Sequence, residues 1–261
     1  MAIITLQTDF GTRDPFVAAM KGVILRQAPD VQIVDVTHEI PPYNRMLPGL
    51  HWCGIHEYFP PGTVHVAVVD PGVGTSRAIL AVAIFEQIFL CPDNGLITPL
   101  LRGSAPRECF RVERKEWFAP DPHPTFHGRD IFAPVAAHLA MGEAIESVGP
   151  RHKPQLDHWP VPLTSPEAIQ TSILTIDHFG NAWTSMCRGV WGHTDWTDAT
   201  VAIEGVDISI PTISRTYGDQ PAGTPVALFN SSGFLEIAEV QGNAAASFGL
   251  SLGQKVTVTR I

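Results

Sequence analysis

The chain has 261 residues, 44% of them hydrophobic, and a formal net charge of −9. That length can bury one large core or two ordinary ones. With 17 Lys and Arg against 26 Asp and Glu and no basic run, the sequence lacks the footprint of a nucleic-acid binder, and small molecules are the expected partners. Cys53, Cys91, Cys109 and Cys187 form no CxxC pair. That spacing predicts neither a zinc knuckle nor a disulfide framework, and it fits a reducing cytoplasm. The start, Met1 to Asp9, has no basic n-region and turns polar too early for a signal peptide. No apolar stretch reaches the ~20 residues that cross a bilayer, so no membrane association is expected.

In chain order, Ile3 to Gln7 reads as a buried strand, Phe16 to Gln27 as an amphipathic helix and Gln32 to Val36 as a second strand. This βαβ start predicts a mainly parallel sheet. Thr63 to Val69 and Ile79 to Phe85, with Phe89 close behind, are further strands, and Ile131 to Met141 is a helix that Gly142 ends. From about Pro150 to Pro166 the chain is Pro-rich and aperiodic, as a linker reads. The expected division is an α/β N-terminal domain, 1–160, and an all-β, barrel-like C-terminal domain, 161–261. Its strands are Ser172 to Ile176, Thr200 to Ile203, Val206 to Ile210, Pro225 to Phe229, Phe234 to Ala238 and Lys255 to Arg260.

Open α/β sheets bind ligands beyond the carboxyl ends of their strands. Asp9 stands there, where the first strand gives way to Gly11; it can accept both hydroxyls of a ribose or cap the following turn. Asp14 reads first as the N-cap of the helix. Asp70 follows the run Val64 to Val69, and Arg77, after Pro71, Gly72 and Gly74, can return to the same opening, either as active-site groups or as a salt bridge fixing the loop. Gly72-Val-Gly74 lacks the third glycine and the Gly-Lys-Ser/Thr ending of a phosphate loop. His127 is open to structural, catalytic and metal-binding readings. HxxxH spacing from His123 aligns two imidazoles only on a helix, and Pro122 and Pro124 argue against one. Asp93-Asn94-Gly95, Asp177 to Asn181 and Asn230 to Gly233 are turns. The latter two also offer a carboxylate for an ammonium, an amide for an adenine edge and hydroxyls for a carboxylate.

Taken together, Thr8-Asp-Phe-Gly11, Val34-Asp-Val-Thr-His-Glu-Ile-Pro41, Gly62-Thr-Val-His65, Val69-Asp-Pro-Gly-Val-Gly-Thr75, Pro92-Asp-Asn-Gly-Leu96, Thr125-Phe-His-Gly-Arg-Asp-Ile-Phe-Ala-Pro134 and Asp177 to Asn181 resemble the S-adenosyl-L-methionine (SAM) hydroxide adenosyltransferases, relatives of fluorinase and chlorinase. The resemblance runs through nearly the whole chain. It implies attack by water on the ribose C5′ of SAM, giving adenosine and L-methionine, without metal or cofactor. It also implies a homotrimer with SAM held between one chain's N-terminal domain and its neighbour's C-terminal domain. By the same resemblance Asp70, Arg77 and His127 form the catalytic triad and Asp9 holds the ribose diol, with Tyr43 in the place of an aromatic residue near it. Asp14 and Asp177 would serve the methionine ammonium region, Ser231 the carboxylate, and Phe179, Asn181 and Tyr217 the adenine. The fluorinase has a tyrosine in place of Asp70, a serine in place of Gly128 and an insertion after the Arg77 loop that this chain lacks. An ionised Asp70 would repel a halide, which argues for water. Ser232 departs from the arginine of the halogenating relatives. The alternatives are a SAM-dependent 5′-halogenase, a SAM- or adenosine-binding sensor with incidental turnover, and a metal-dependent hydrolase using Asp9, Asp70 and His127.

Overall fold

The computed structural model describes residues 2–102, 108–191 and 198–260. These fall into two compact units, 1–158 and 159–261.

Among the described residues the first unit is built on one six-stranded sheet of β1 (Ile3–Thr8), β2 (Gln32–Thr37), β3 (Val64–Val68), β4 (Ile79–Ile84), β5 (Gln87–Pro92) and β6 (Glu108–Arg111). The strand order is 2-1-3-5-4-6. β2, β1, β3 and β5 run parallel, whereas β4 pairs antiparallel with β5 and β6. Helices α1 (Phe16–Gln27), α2 (Met46–Ile55), α3 (Thr98–Leu101) and α4 (Ala133–Ala140) cover the two faces. Strand alternation explains the layering. Ile4 and Leu6 of β1 pack with Met20 and Ile24 of α1 and with α4, while Trp52 of α2 and Leu100 of α3 pack with Ala67, Leu80 and Phe89 on the opposite side.

That opposite side carries a polar seam. Gln7 donates to the Pro48 carbonyl at 3.1 Å and faces His51 Nδ1 at 3.1 Å, and Thr5 meets His65 Nδ1 at 2.8 Å. Burial lowers the pKa of His51 and His65 from 6.5 to about 4. The unfolded chain therefore takes up these protons as the pH falls below 6.5, whereas the folded chain does so only near 4. Stability is expected to decline across that window, by up to roughly 3 kcal/mol per histidine. Urea midpoints at pH 7, 5.5 and 4 measure the slope, and His65→Gln should flatten part of it.

The helix expected over Ile131 to Met141 begins earlier, with a π turn at Gly128–Phe132 in which Ala133 N–H donates to the Gly128 carbonyl. Pro134 has no N–H to give the Asp130 carbonyl, which accepts from Ala119 N–H at 2.8 Å instead. The stretch expected as a linker is bonded into the first unit as far as Asp157. Arg151 bridges Phe110, Arg111 N–H donates to the Pro150 carbonyl and His152 N–H to the Cys109 carbonyl, all along the side of β6 away from β4. Asp93 accepts from His152 Nε2 at 2.8 Å and from Gln155 N–H at 2.7 Å, and Thr98 accepts from Asp157 N–H.

The second unit holds β7 (Leu163–Thr164), β8 (Ala168–Ile176), β9 (Ala182–Cys187), β10 (Ala199–Ile203), β11 (Ser209–Ile210), β12 (Ile213–Ser214), β13 (Pro225–Phe229), β14 (Phe234–Glu239) and β15 (Lys255–Arg260). They follow one another as 11-10-15-8-9-14-13-12, with β7 on β8, in a nearly closed, barrel-like sheet. Two short helices, α5 (Arg188–Trp191) and α6 (Ala244–Phe248), accompany it. The strand expected over Val206 to Ile210 is confined to its last two residues. Ile169, Ile173, Val201, Leu235, Ile237, Val256 and Val258 form the interior.

Candidate active site

In the 2-1-3 strand order the chain passes from β1 to β2 on one side and then crosses back to β3 on the other side of β1. The carboxyl ends of β1 and β3 are therefore the topological switch point at which open α/β sheets bind ligands. Thr8 and Val68 are paired there, and Asp9 and Asp70 follow them by one and two residues, so both acids leave the sheet at neighbouring strand ends.

After Asp70 the chain makes two turns, Val73 N–H to the Asp70 carbonyl and Thr75 N–H to the Gly72 carbonyl, which bring Arg77 back. Gly74 adopts φ +78°, and a Cβ there would lie 2.5 Å from the Pro124 carbonyl oxygen, so glycine alone lets this loop touch the one that carries His127. The Arg77 guanidinium then grips Asp70 with both arms: Nε donates to Oδ1 at 2.9 Å and Nη2 donates to Oδ2. Nη2 also lies 2.9 Å from His127 Nδ1. The two side chains of the ion pair are 10% and 3% exposed, which makes it a buried pair. A guanidinium only donates, so His127 Nδ1 is the acceptor and the ring proton of the neutral imidazole sits on Nε2. Burial and the Arg77 charge hold the His127 pKa below its usual value, which keeps the ring in this neutral form.

The structure thus brings Asp70, Arg77 and His127 into one hydrogen-bonded group. Phe10, Phe16 and Phe126 pack edge to face at 5.5 to 6.1 Å, joining the loops that carry Asp9, Asp14 and His127. Asp9 Oδ2 accepts from Tyr43 N–H at 3.1 Å. Tyr43 holds φ +67°, a conformation strained for a side-chain-bearing residue, and the residue is 71% exposed. Asp14 does not cap α1: the N-cap position falls on Pro15, no side chain caps the first turn, and Asp14 lies exposed ahead of it.

Within the second unit, Asp177 occupies the β8–β9 turn, where its Oδ1 accepts from Phe179 N–H and Asn181 N–H, both at 2.9 Å. The Phe179 ring is exposed, whereas Asn181 is buried. Tyr217 opens a 3₁₀ turn, Tyr217–Asp219, locked by a capping box between Thr216 and Asp219. Its hydroxyl donates to Glu236 at 2.6 Å. Ser231 is exposed in the turn between β13 and β14.

Three residues bonded to these groups or their loops were given no site role from the sequence. Asp130 Oδ2 accepts from His123 N–H at 2.9 Å and so anchors the His127 loop; Arg129 beside it holds its carboxyl below the usual range. Asn94, read only as a turn residue, donates to the Val69 carbonyl at 3.0 Å, just before Asp70. Glu236 is a carboxylate amid the apolar run Phe234-Leu-Glu-Ile-Ala238, and that interruption was the available signal.

Comparison with known proteins covers both units. The pattern of the SAM hydroxide adenosyltransferase N-terminal domain matches residues 4–149, and that of the C-terminal domain matches 171–257. The chain is 38% identical to the (R)-S-adenosyl-L-methionine hydrolase of Thermus thermophilus, over 95% of this chain and 96% of that one. It is 31% identical to the fluorinase of Actinopolyspora mzabensis, over 99% and 97%. The crystal structure of an uncharacterized conserved protein from Thermotoga maritima superposes with a TM-score of 0.91 at 33% identity, covering 98% of this chain and all of that one. With both domain patterns present in order and relatives matched from end to end, the chain belongs to the SAM hydroxide adenosyltransferase family.

Proposed function

We propose that the protein hydrolyses SAM at the ribose C5′, giving adenosine, L-methionine and a proton. The observation that carries this reading is the Asp70–Arg77–His127 group at the switch point, in a chain 38% identical to a named SAM hydrolase. SAM arrives activated, because its sulfonium leaves as a neutral thioether, so the protein's task is to place and deprotonate a water in line with the C5′–S bond. His127, with its proton on Nε2, donates to the water oxygen and leaves a lone pair for C5′. As the O–C5′ bond forms and sulfur departs with the C–S electron pair, Asp70 takes the proton. Arg77 fixes the direction of both partners. The group carries one negative and one positive charge and a neutral ring, so it adds no net positive charge against a sulfonium.

Asp9 then holds the ribose diol beside Tyr43, Asp14 and Asp177 serve the ammonium region, Ser231 the carboxylate, and Phe179, Asn181 and Tyr217 the adenine. Domains 1–160 and 161–261, a cytoplasmic homotrimer and a site shared between neighbouring chains complete the reading. Gly128 supports water over halide. Met20 Sδ and the Phe10 ring would lie 3.1 to 3.4 Å from a Cβ there, so the serine of the halogenating relatives would need its neighbours to move. Incubation with SAM is expected to release adenosine and methionine in equal amounts, in chloride and fluoride buffers alike. Dominant 5′-halo-adenosine would make the halogenase reading the correct one, and tight adenosine retention without turnover the sensor reading.

A further inference from the structure

Glu236 is 1% exposed in the middle of β14, beside the register shift at which β14 pairs with β9. A carboxylate buried among apolar neighbours is costly unless its oxygens are satisfied, and its partners are a phenol and an amide, with the Trp183 indole beside them, rather than a cation. Oε1 accepts from the Tyr217 hydroxyl at 2.6 Å, and Oε2 accepts from Asn230 Nδ2 at 3.1 Å. The Asn230 amide cannot turn over to suit another group. Its Oδ1 already accepts from Ser232 N–H at 3.0 Å and Phe234 N–H at 3.1 Å, which fixes Nδ2 toward Glu236.

Tyr217 has one hydroxyl proton, and Glu236 holds it. Burial and the nearby charges of Glu236 and Asp177 push the phenol pKa up, so this proton stays on. Tyr217 as a whole remains 40% exposed. What Tyr217 presents outward is therefore its aromatic ring, with the hydroxyl donor already committed. The same carboxylate braces the turn that carries Ser231.

We infer that Glu236 is a positioning residue for nucleoside recognition: it clamps the Tyr217 hydroxyl so that the ring is held ready to pack on adenine. The inference rests on the adenine role proposed for Tyr217. Glu236→Gln tests it, because the single amide oxygen is drawn to the fixed Asn230 NH2 and the amide NH2 then meets the phenol oxygen, which leaves the Tyr217 hydroxyl proton without its acceptor. In the full-length protein Glu236→Gln is expected to raise the adenosine Kd and the KM for SAM about fivefold to tenfold, the size of one typical hydrogen bond lost. The kcat should stay within about twofold, since the contact is the same in the ground and transition states. Tyr217→Phe, which removes only the hydroxyl, should move both constants the same way and carries the test if Glu236→Gln fails to fold. In a Tyr217→Ala background, adding Glu236→Gln should change the adenosine Kd by less than about twofold. An undiminished loss in that background, or an unchanged Kd for Glu236→Gln and Tyr217→Phe while Tyr217→Ala weakens binding, overturns the positioning role alone. Unchanged adenosine binding by Tyr217→Ala overturns the adenine role of Tyr217, and the clamp with it.

Discussion

Asp70→Asn is expected to slow adenosine formation by about two to four orders of magnitude, the range lost with a general base, and to leave adenosine affinity nearly unchanged. The asparagine keeps one oxygen for Arg77, so the loop retains an anchor while the proton acceptor disappears. His127 cannot take over the task. Its Nδ1 faces a guanidinium and its Nε2 already carries a proton, so accepting another would put an N–H against Arg77. Single-turnover conversion of SAM, measured beside adenosine binding, separates chemistry from folding. A variant that retained a tenth or more of the wild-type rate would move the proton acceptor away from Asp70.

Arg77→Met is expected to have the largest effect on stability. It strands the Asp70 carboxylate, whose side chain is 3% exposed, without its cation. Breaking one side of a buried pair typically costs about 3–5 kcal/mol, which for a domain of this size lowers the melting temperature by about 10 °C. Removing the other side as well should undo much of this, because an apolar pair of similar volume is often no less stable than the ions it replaces. Asp70→Leu combined with Arg77→Met is therefore expected to melt well above Arg77→Met alone while forming no adenosine. A double variant as unstable as the single one would show that the loop depends on Arg77 through contacts other than the ion pair, such as the Phe132 ring 5.9 Å from its guanidinium carbon.

How much of this was legible in the sequence depended on whether a local pattern reached its partner. The β1–α1–β2 unit was read to within a residue at each boundary, because hydrophobic alternation and helical periodicity are properties of the segment itself. α2 was not seen. It carries Pro48 and Gly49, and it is buried between the sheet and α3, which erases the amphipathic stripe. Gly49 there has the Pro99 ring and the Leu96 carbonyl within 2.7 Å of the place a Cβ would take, a tertiary constraint with no signal of its own. The switch-point positions of Asp9 and Asp70 followed from strand ends. The return of Arg77 toward Asp70 was open from the glycine-rich spacing, whereas its contact with His127 was implied only by the family resemblance, since it depends on turns meeting across 50 residues of sequence. Asp14 read as a cap because a short acid just ahead of a helix usually is one, whereas the helix starts one residue later, with Pro15 at the N-cap position.

The segment 150–152 laid along the outer side of β6 has a consequence for dissecting this chain. β6 ends the first sheet, and the Cys109 carbonyl and Arg111 N–H that point away from β4 are satisfied by His152 N–H and the Pro150 carbonyl. A bare edge strand is a template on which further copies add. A fragment cut at 149, where the N-terminal family match stops, would expose that template; a cut after 158 keeps the edge closed.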